Sequence, residues 1–149
     1  MSGEYYNLLL KRSKAFLRNA HRLLEEGEYD LAAFSAEQAA QLRVGAMLYR
    51  LWGVTPRIHS IRGLLGIARD WLLRADLRRE AERIEALASS KRSLLAALEE
   101  AYTISRYGHT AYTEEAAREL IAAAEEVISV VEEVERAAAD VGEDSDRED

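Results

Sequence analysis

The sequence predicts an all-α protein, an up-and-down bundle of about five helices. Composition is the first reason: Ala, Leu, Glu and Arg dominate, and the one proline is Pro56. Apolar periodicity is the second. Apolar residues recur three or four apart through five long stretches, and no alternating stretch marks a strand. Third, each pair of stretches is separated by glycine, proline or a capping residue. At 149 residues the chain is long enough for one domain with a real core.

The first stripe, Leu9, Phe16, Ala20 and Leu23, is one face of a helix over residues 4–26, with Gly27 just past its end. Asp30 is the expected cap of the second helix, residues 30–52. That helix is apolar nearly all round and rich in alanine, so it belongs in the middle of a bundle. Glu37, Gln38, Gln41 and Arg43 interrupt it, and polar groups so placed are expected to hydrogen-bond neighbouring helices. After the loop at residues 53–56, a third helix carries Ile58, Ile61, Leu65, Ala68 and Leu72. Asp76 is the expected cap of the fourth. Its stripe of Leu77, Ala81, Ile84, Leu87, Lys91, Leu94, Leu98 and Tyr102 predicts one helix running through Ser89 and Ser90. Thr113, followed by Glu114 and Glu115, caps the fifth, with a stripe from Ala117 through Leu120, Ala124, Val127, Val131 and Val134 to Ala138. The expected core includes Phe16, Phe34, Leu42, Ile61, Leu94, Leu98, Leu120 and Val127.

Composition also excludes whole classes of function. Without cysteine there are no disulfides and no thiolate metal sites. The N-terminal residues show no basic region followed by an apolar run, and no stretch approaches the length of a membrane span, so the chain reads as cytoplasmic. The net charge is −7, and residues 142–149, with five acids against one arginine, supply −4 of it. Residues 1–141 therefore read as the bundle and 142–149 as an acidic, frayed tail. A basic stretch stands against this acidity: seven arginines lie between Arg57 and Arg83, beside Asp70, Asp76, Glu80 and Glu82. Salt-bridged helix faces are the simpler account, and a surface for phosphate or an acidic partner is the sharper one.

One segment carries chemistry. Residues 101–113 interrupt two helical patterns with Tyr102, Arg106, Tyr107, His109 and Tyr112. Arginine can hold a phosphate and histidine can move a proton at neutral pH. Other chemistry is missing. A bundle di-iron site needs Glu-x-x-His pairs, but Arg18, Pro56 and Arg106 precede His21, His59 and His109 by three. There is no glycine-rich phosphate loop and no nucleophile elbow. No metal and no cofactor is expected. His21 reads as a surface residue, and His59 as a capping or packing one.

Three patterns fall in one order: Tyr29-Asp30-Leu31-Ala32-Ala33-Phe34-Ser35-Ala36-Glu37-Gln38-Ala39-Ala40-Gln41-Leu42; Pro56-Arg57-Ile58-His59-Ser60-Ile61-Arg62-Gly63-Leu64-Leu65; and Leu98-Glu99-Glu100-Ala101-Tyr102-Thr103-Ile104-Ser105-Arg106-Tyr107, then Tyr112-Thr113. Together they resemble the prokaryotic HEPN domains, over about residues 4–140. The resemblance implies an up-and-down bundle that commonly dimerises and is often found beside a minimal nucleotidyltransferase. Many members look like metal-independent ribonuclease toxins with a motif of Arg, four to six residues, then His, often followed by a Tyr that the partner can modify with AMP. Here two residues separate Arg106 from His109, and Tyr112 follows three later. Members without the nuclease motif carry an Arg-Tyr-Pro-like segment at this place, and Arg106-Tyr107-Gly108 is closer to that version. The expected function is thus a helical module that partners a minimal nucleotidyltransferase in a toxin–antitoxin-type pair. It would be a homodimer that binds nucleotide or RNA through Arg106, Tyr107 and Tyr112 without strong catalysis. The alternative is a metal-independent RNA endonuclease with Arg106 and His109 as its catalytic residues.

Overall fold

A computed structural model of the chain describes residues 3–148; the side chains of Arg106 and of residues 143–148 lie outside the described residues. The protein is a bundle of six helices: α1 (Gly3–Glu25), α2 (Tyr29–Trp52), α3 (Ile61–Arg74), α4 (Arg78–Ser90), α5 (Arg92–Tyr107) and α6 (Glu114–Glu148). No strand occurs among the described residues. The central helix is α2, which packs on α1, α3, α5 and α6. Its buried surface is made largely of Ala32, Ala33, Ala36, Ala39 and Ala40, small enough to let several helices approach one axis.

Helix α1 buries Leu9, Ser13, Ala20 and Leu24, while Phe16 and Leu23 are half-buried. The expected stripe is turned slightly because one contact position is a serine. The Ser13 hydroxyl donates to the Ala39 carbonyl at 2.7 Å, so a polar residue takes a place that an apolar pattern cannot show. Gly27 has φ +80° and closes α1, with Gly27 N–H bonded to Leu24 O and Glu28 N–H to Leu23 O.

The same closing pattern recurs where the sequence suggested a start. Asp76 has φ +60°; its N–H reaches Leu73 O, and Leu77 N–H reaches Leu72 O. Asp76 is therefore the left-handed stop of α3 and does not cap α4, which begins without a side-chain cap. Asp30 does not cap α2 either. The flanking residue there is Glu28, again with no side-chain cap. Ser60 caps α3 by accepting the Gly63 N–H at 3.0 Å, so Ile58 lies in the loop before the helix. Thr113 caps α6 as expected, accepting the Ala116 N–H at 3.1 Å.

The expected fourth helix is two. Lys91, at φ −113° and ψ 19°, separates α4 from α5. The break shifts the buried face by one residue. Ala81, Ile84 and Leu87 are buried on α4; Leu95, Leu98 and Ala101 are buried on α5, and Leu94 is only half-buried. Ile61, Leu98, Leu120 and Val127 lie in the core, whereas Phe16, Phe34 and Leu42 are half-buried at its margin. The backbone of α6 runs on to Glu148; the acidic side chains beyond Gly142 lie outside the described residues.

Two buried acids mark how the helices are joined. Glu135 on α6 is 2% exposed. It accepts from Arg43 Nη1 at 2.9 Å, Arg50 Nη1 at 2.8 Å and the Tyr6 hydroxyl at 2.5 Å. Burial pulls its pKa up, but these donors and their charge outweigh burial and hold it below the usual carboxylate range. Glu37 on α2 is fully buried and pairs with no cation among the described residues. It accepts from Gln38 Nε2 at 2.8 Å and from Gln41 Nε2. Burial pushes its pKa up, and the nearby Glu99 charge adds to that.

Candidate functional site

The site grows from the end of α5. This helix stops between Arg106 and His109. Tyr107 is its last residue, and the Gly108 N–H closes the final turn on Ile104 O at 2.9 Å. Gly108 is extended, at φ −68° and ψ 149°, so its conformation does not require glycine; space does. A Cβ there would come within 2.7 Å of the Ile104 carbonyl oxygen and of its Cγ2. The chain then leaves the helix axis. On a continuous helix, Arg106 and His109 would share a face three residues apart. The Arg106 backbone lies in the last turn, and its side chain lies outside the described residues. Tyr107 is 73% exposed. His109 is exposed and has no hydrogen-bond partner among the described residues. An imidazole used as a general base ordinarily has a second group that fixes its tautomer and direction.

The loop after Gly108 is pinned at Tyr112. The Tyr112 N–H donates to Asp30 Oδ1 at 2.6 Å, so the acid expected to cap α2 instead holds this loop against the first turn of α2. The Tyr112 ring is half-buried against the core. Burial raises its pKa, and the carboxylates of Glu100 and Asp30 push the same way. Those two negative charges oppose an anionic ligand at the Tyr112 hydroxyl. One turn before Arg106, Tyr102 packs on Phe34 of α2, with ring centroids 5.8 Å apart. The Ser105 hydroxyl is buried with no hydrogen-bond partner among the described residues.

A polar network below this end joins the three sequence patterns physically. Glu99 on α5 accepts from the Ser60 hydroxyl at 3.0 Å, from the Arg62 N–H at 2.8 Å and from the Arg62 guanidinium at 2.8 and 3.1 Å. Burial raises the Glu99 pKa, but the hydrogen bonds from Arg62 and Ser60 bring it below the ordinary range. Gln41 Nε2 also reaches the His59 carbonyl at 3.2 Å. The α2 pattern, the segment before α3 and the α5 pattern thus meet around Glu37 and Glu99. Sequence reasoning expected Glu37 and Gln38 to bond neighbouring helices; their mutual bond and the Gln41–Glu37 bond lie within α2. The Glu99 network was missed. Its signal was Ser60, Arg62 and Glu99, each inside one of the quoted patterns.

Because its folded pKa is raised, Glu37 contributes stability that is present below the unfolded pKa and is lost as pH rises through the folded value. Glu37→Gln removes that loss. The stability of the variant relative to wild type should therefore move in the variant's favour between acid and neutral pH in urea melts. A difference that stays constant with pH would contradict the raised pKa.

The basic stretch is largely paired. Arg62 bonds Glu99, Arg69 bonds Asp70 and Glu85, Arg78 lies 3.6 Å from Asp76, and Arg83 pairs with Glu133. Salt-bridged helix faces account for most of it. His21 is an exposed surface residue, 3.5 Å from Glu125. No group of three metal-ligating side chains occurs among the described residues, and no helix there is long and apolar enough to cross a membrane.

A family model described as HEPN domain covers residues 6–134. No curated protein is similar enough to the chain to count as a match.

Proposed function

The chain belongs to the HEPN domain family, and from that membership we propose that it is a binding module for a minimal nucleotidyltransferase in a toxin–antitoxin-type pair, with the end of α5 contacting nucleotide or RNA without strong catalysis. The observation that carries this reading is the end of α5 between Arg106 and His109. The helix ends between the two residues that would have to act together, and His109 has no orienting partner among the described residues. A cleaving site needs both: a proton-transfer group held within hydrogen-bond reach, and a cation on the phosphate. A binding site needs only the arginine and an exposed aromatic ring, which Arg106 and Tyr107 supply. Tyr112 serves as the anchor of the loop.

Two copies associate in this reading, through the α2 face that carries Leu31, Phe34 and Gln38 and through the neighbouring end of α5. Leu31 is 42% exposed and Tyr102 39%, an apolar surface that a second copy would cover. Light scattering at micromolar concentration should give a dimer; a monomer of 16.8 kDa would remove this part of the proposal.

The test of the partner is direct. Arg106→Ala should weaken binding to a minimal nucleotidyltransferase, or to ATP as a probe nucleotide, by tenfold or more, since an arginine–phosphate contact is worth about 1.5–3 kcal/mol. The variant should keep the helical circular-dichroism spectrum of wild type. Binding of both ligands unchanged by Arg106→Ala would refute the site.

A further inference from the structure

Positive charge in this protein is uncompensated on a helix that the composition does not single out. Between Glu4 and Glu25, α1 contains no acid, yet it carries Lys11, Arg12, Lys14, Arg18 and Arg22. Lys11, Arg12, Lys14 and Arg18 are exposed and make no ion pair among the described residues. Arg22 lies 3.9 Å from Glu26, with both side chains more than half exposed. In a chain of net charge −7, this is a local reversal of sign over about three helical turns.

The stripe also has shape. Arg12, Arg18 and Arg22 line a shallow groove whose floor is Ala15, Phe16 and Asn19. Asn19 is fixed by a 3.2 Å bond from its Nδ2 to Ser35 Oγ on α2. The preceding residue of α2, Phe34, carries the contact to Tyr102 of α5. The groove and the last turns of α5 thus rest on neighbouring residues of α2.

We propose that the outer stripe of α1 binds a single-stranded polynucleotide through its phosphate backbone. Cations strung along a helix match a polymer with a charge at every residue, and guanidinium groups meet phosphate oxygens in pairs. The apolar floor at Ala15 and Phe16 offers bases a surface without selecting among them. The inference is independent of the Arg106 site and stands whether or not that segment binds or cleaves.

The test uses the full chain and a fluorescent single-stranded DNA oligonucleotide, which lacks the 2′-OH and so reports binding without cleavage by that route. Fluorescence anisotropy should show binding that weakens steeply with salt. The combined Lys11→Ala, Arg12→Ala, Lys14→Ala and Arg18→Ala variant should lose at least about tenfold in affinity, with the salt slope falling by roughly 0.7 for each phosphate contact removed. The milder pair Arg12→Gln and Arg18→Gln should lose part of that, which keeps the test decisive if the fourfold variant loses helicity. Arg74→Ala with Arg79→Ala should bind as wild type does. No binding by wild type, equal binding by the pair and wild type, or equally effective competition by polyglutamate would overturn the proposal, the last by pointing to an acidic protein partner instead.

Discussion

Glu135→Ala is expected to cost about 3–5 kcal/mol at neutral pH, the usual penalty for removing one partner of a buried ion pair. The carboxylate holds Tyr6 of α1, Arg43 and Arg50 of α2, and its own helix α6 at one point. Without it, the 5% exposed Arg43 keeps only the longer ion pair of its Nε with the half-exposed Glu132 at 3.7 Å. Arg50→Ala should cost much less, because the Arg50 side chain is 42% exposed and water can replace its bond. The pH dependence has a definite sign. The folded pKa of Glu135 is depressed, so its contribution is present above the unfolded carboxylate pKa and is lost as pH falls through the folded value. Urea melts should show the gap between wild type and Glu135→Ala closing in acid. A loss below about 1 kcal/mol at neutral pH, within the range of an exposed pair, would contradict the buried network.

Leu95→Ala should cost about 2–5 kcal/mol, as deletion of a fully buried leucine does. Leu94→Ala should cost clearly less, since Leu94 is half-buried at the margin. The order of the two values is the informative result. An unbroken helix from α4 into α5 places Leu94 inward; the break at Lys91 places Leu95 there. Leu94→Ala costing more than Leu95→Ala would mean that the break is misplaced.

The helices themselves were legible, because a stripe repeated every three or four residues survives small errors of phase. The all-α fold, the Thr113 cap, and the core positions Ile61, Leu98, Leu120 and Val127 follow from that. What failed were single residues whose role depends on a distant partner. Asp30 and Asp76 both look like helix caps, yet one binds the Tyr112 N–H eighty-two residues away and the other ends the preceding helix in a left-handed conformation. No local pattern separates these uses of aspartate. The break at Lys91 was hidden because leucine stands at both 94 and 95, so either phase gives an acceptable stripe. At the site, Arg106, His109 and their short spacing were visible in the sequence. The helix end between them was foreshadowed by the polar interruption, but the reason for Gly108 was not. It lies in the close approach to Ile104, which only coordinates show.

We propose that the end of α5 binds nucleotide or RNA and does not cleave it. The most direct measurement is incubation of the purified full chain with single-stranded RNA in the presence of chelator, followed by gel analysis beside Arg106→Ala and His109→Ala. The expected result is intact RNA in all three. Cleavage by wild type that falls by about 10²–10⁴-fold in His109→Ala, the range of general acid–base catalysis, would contradict the claim and identify a metal-independent endonuclease.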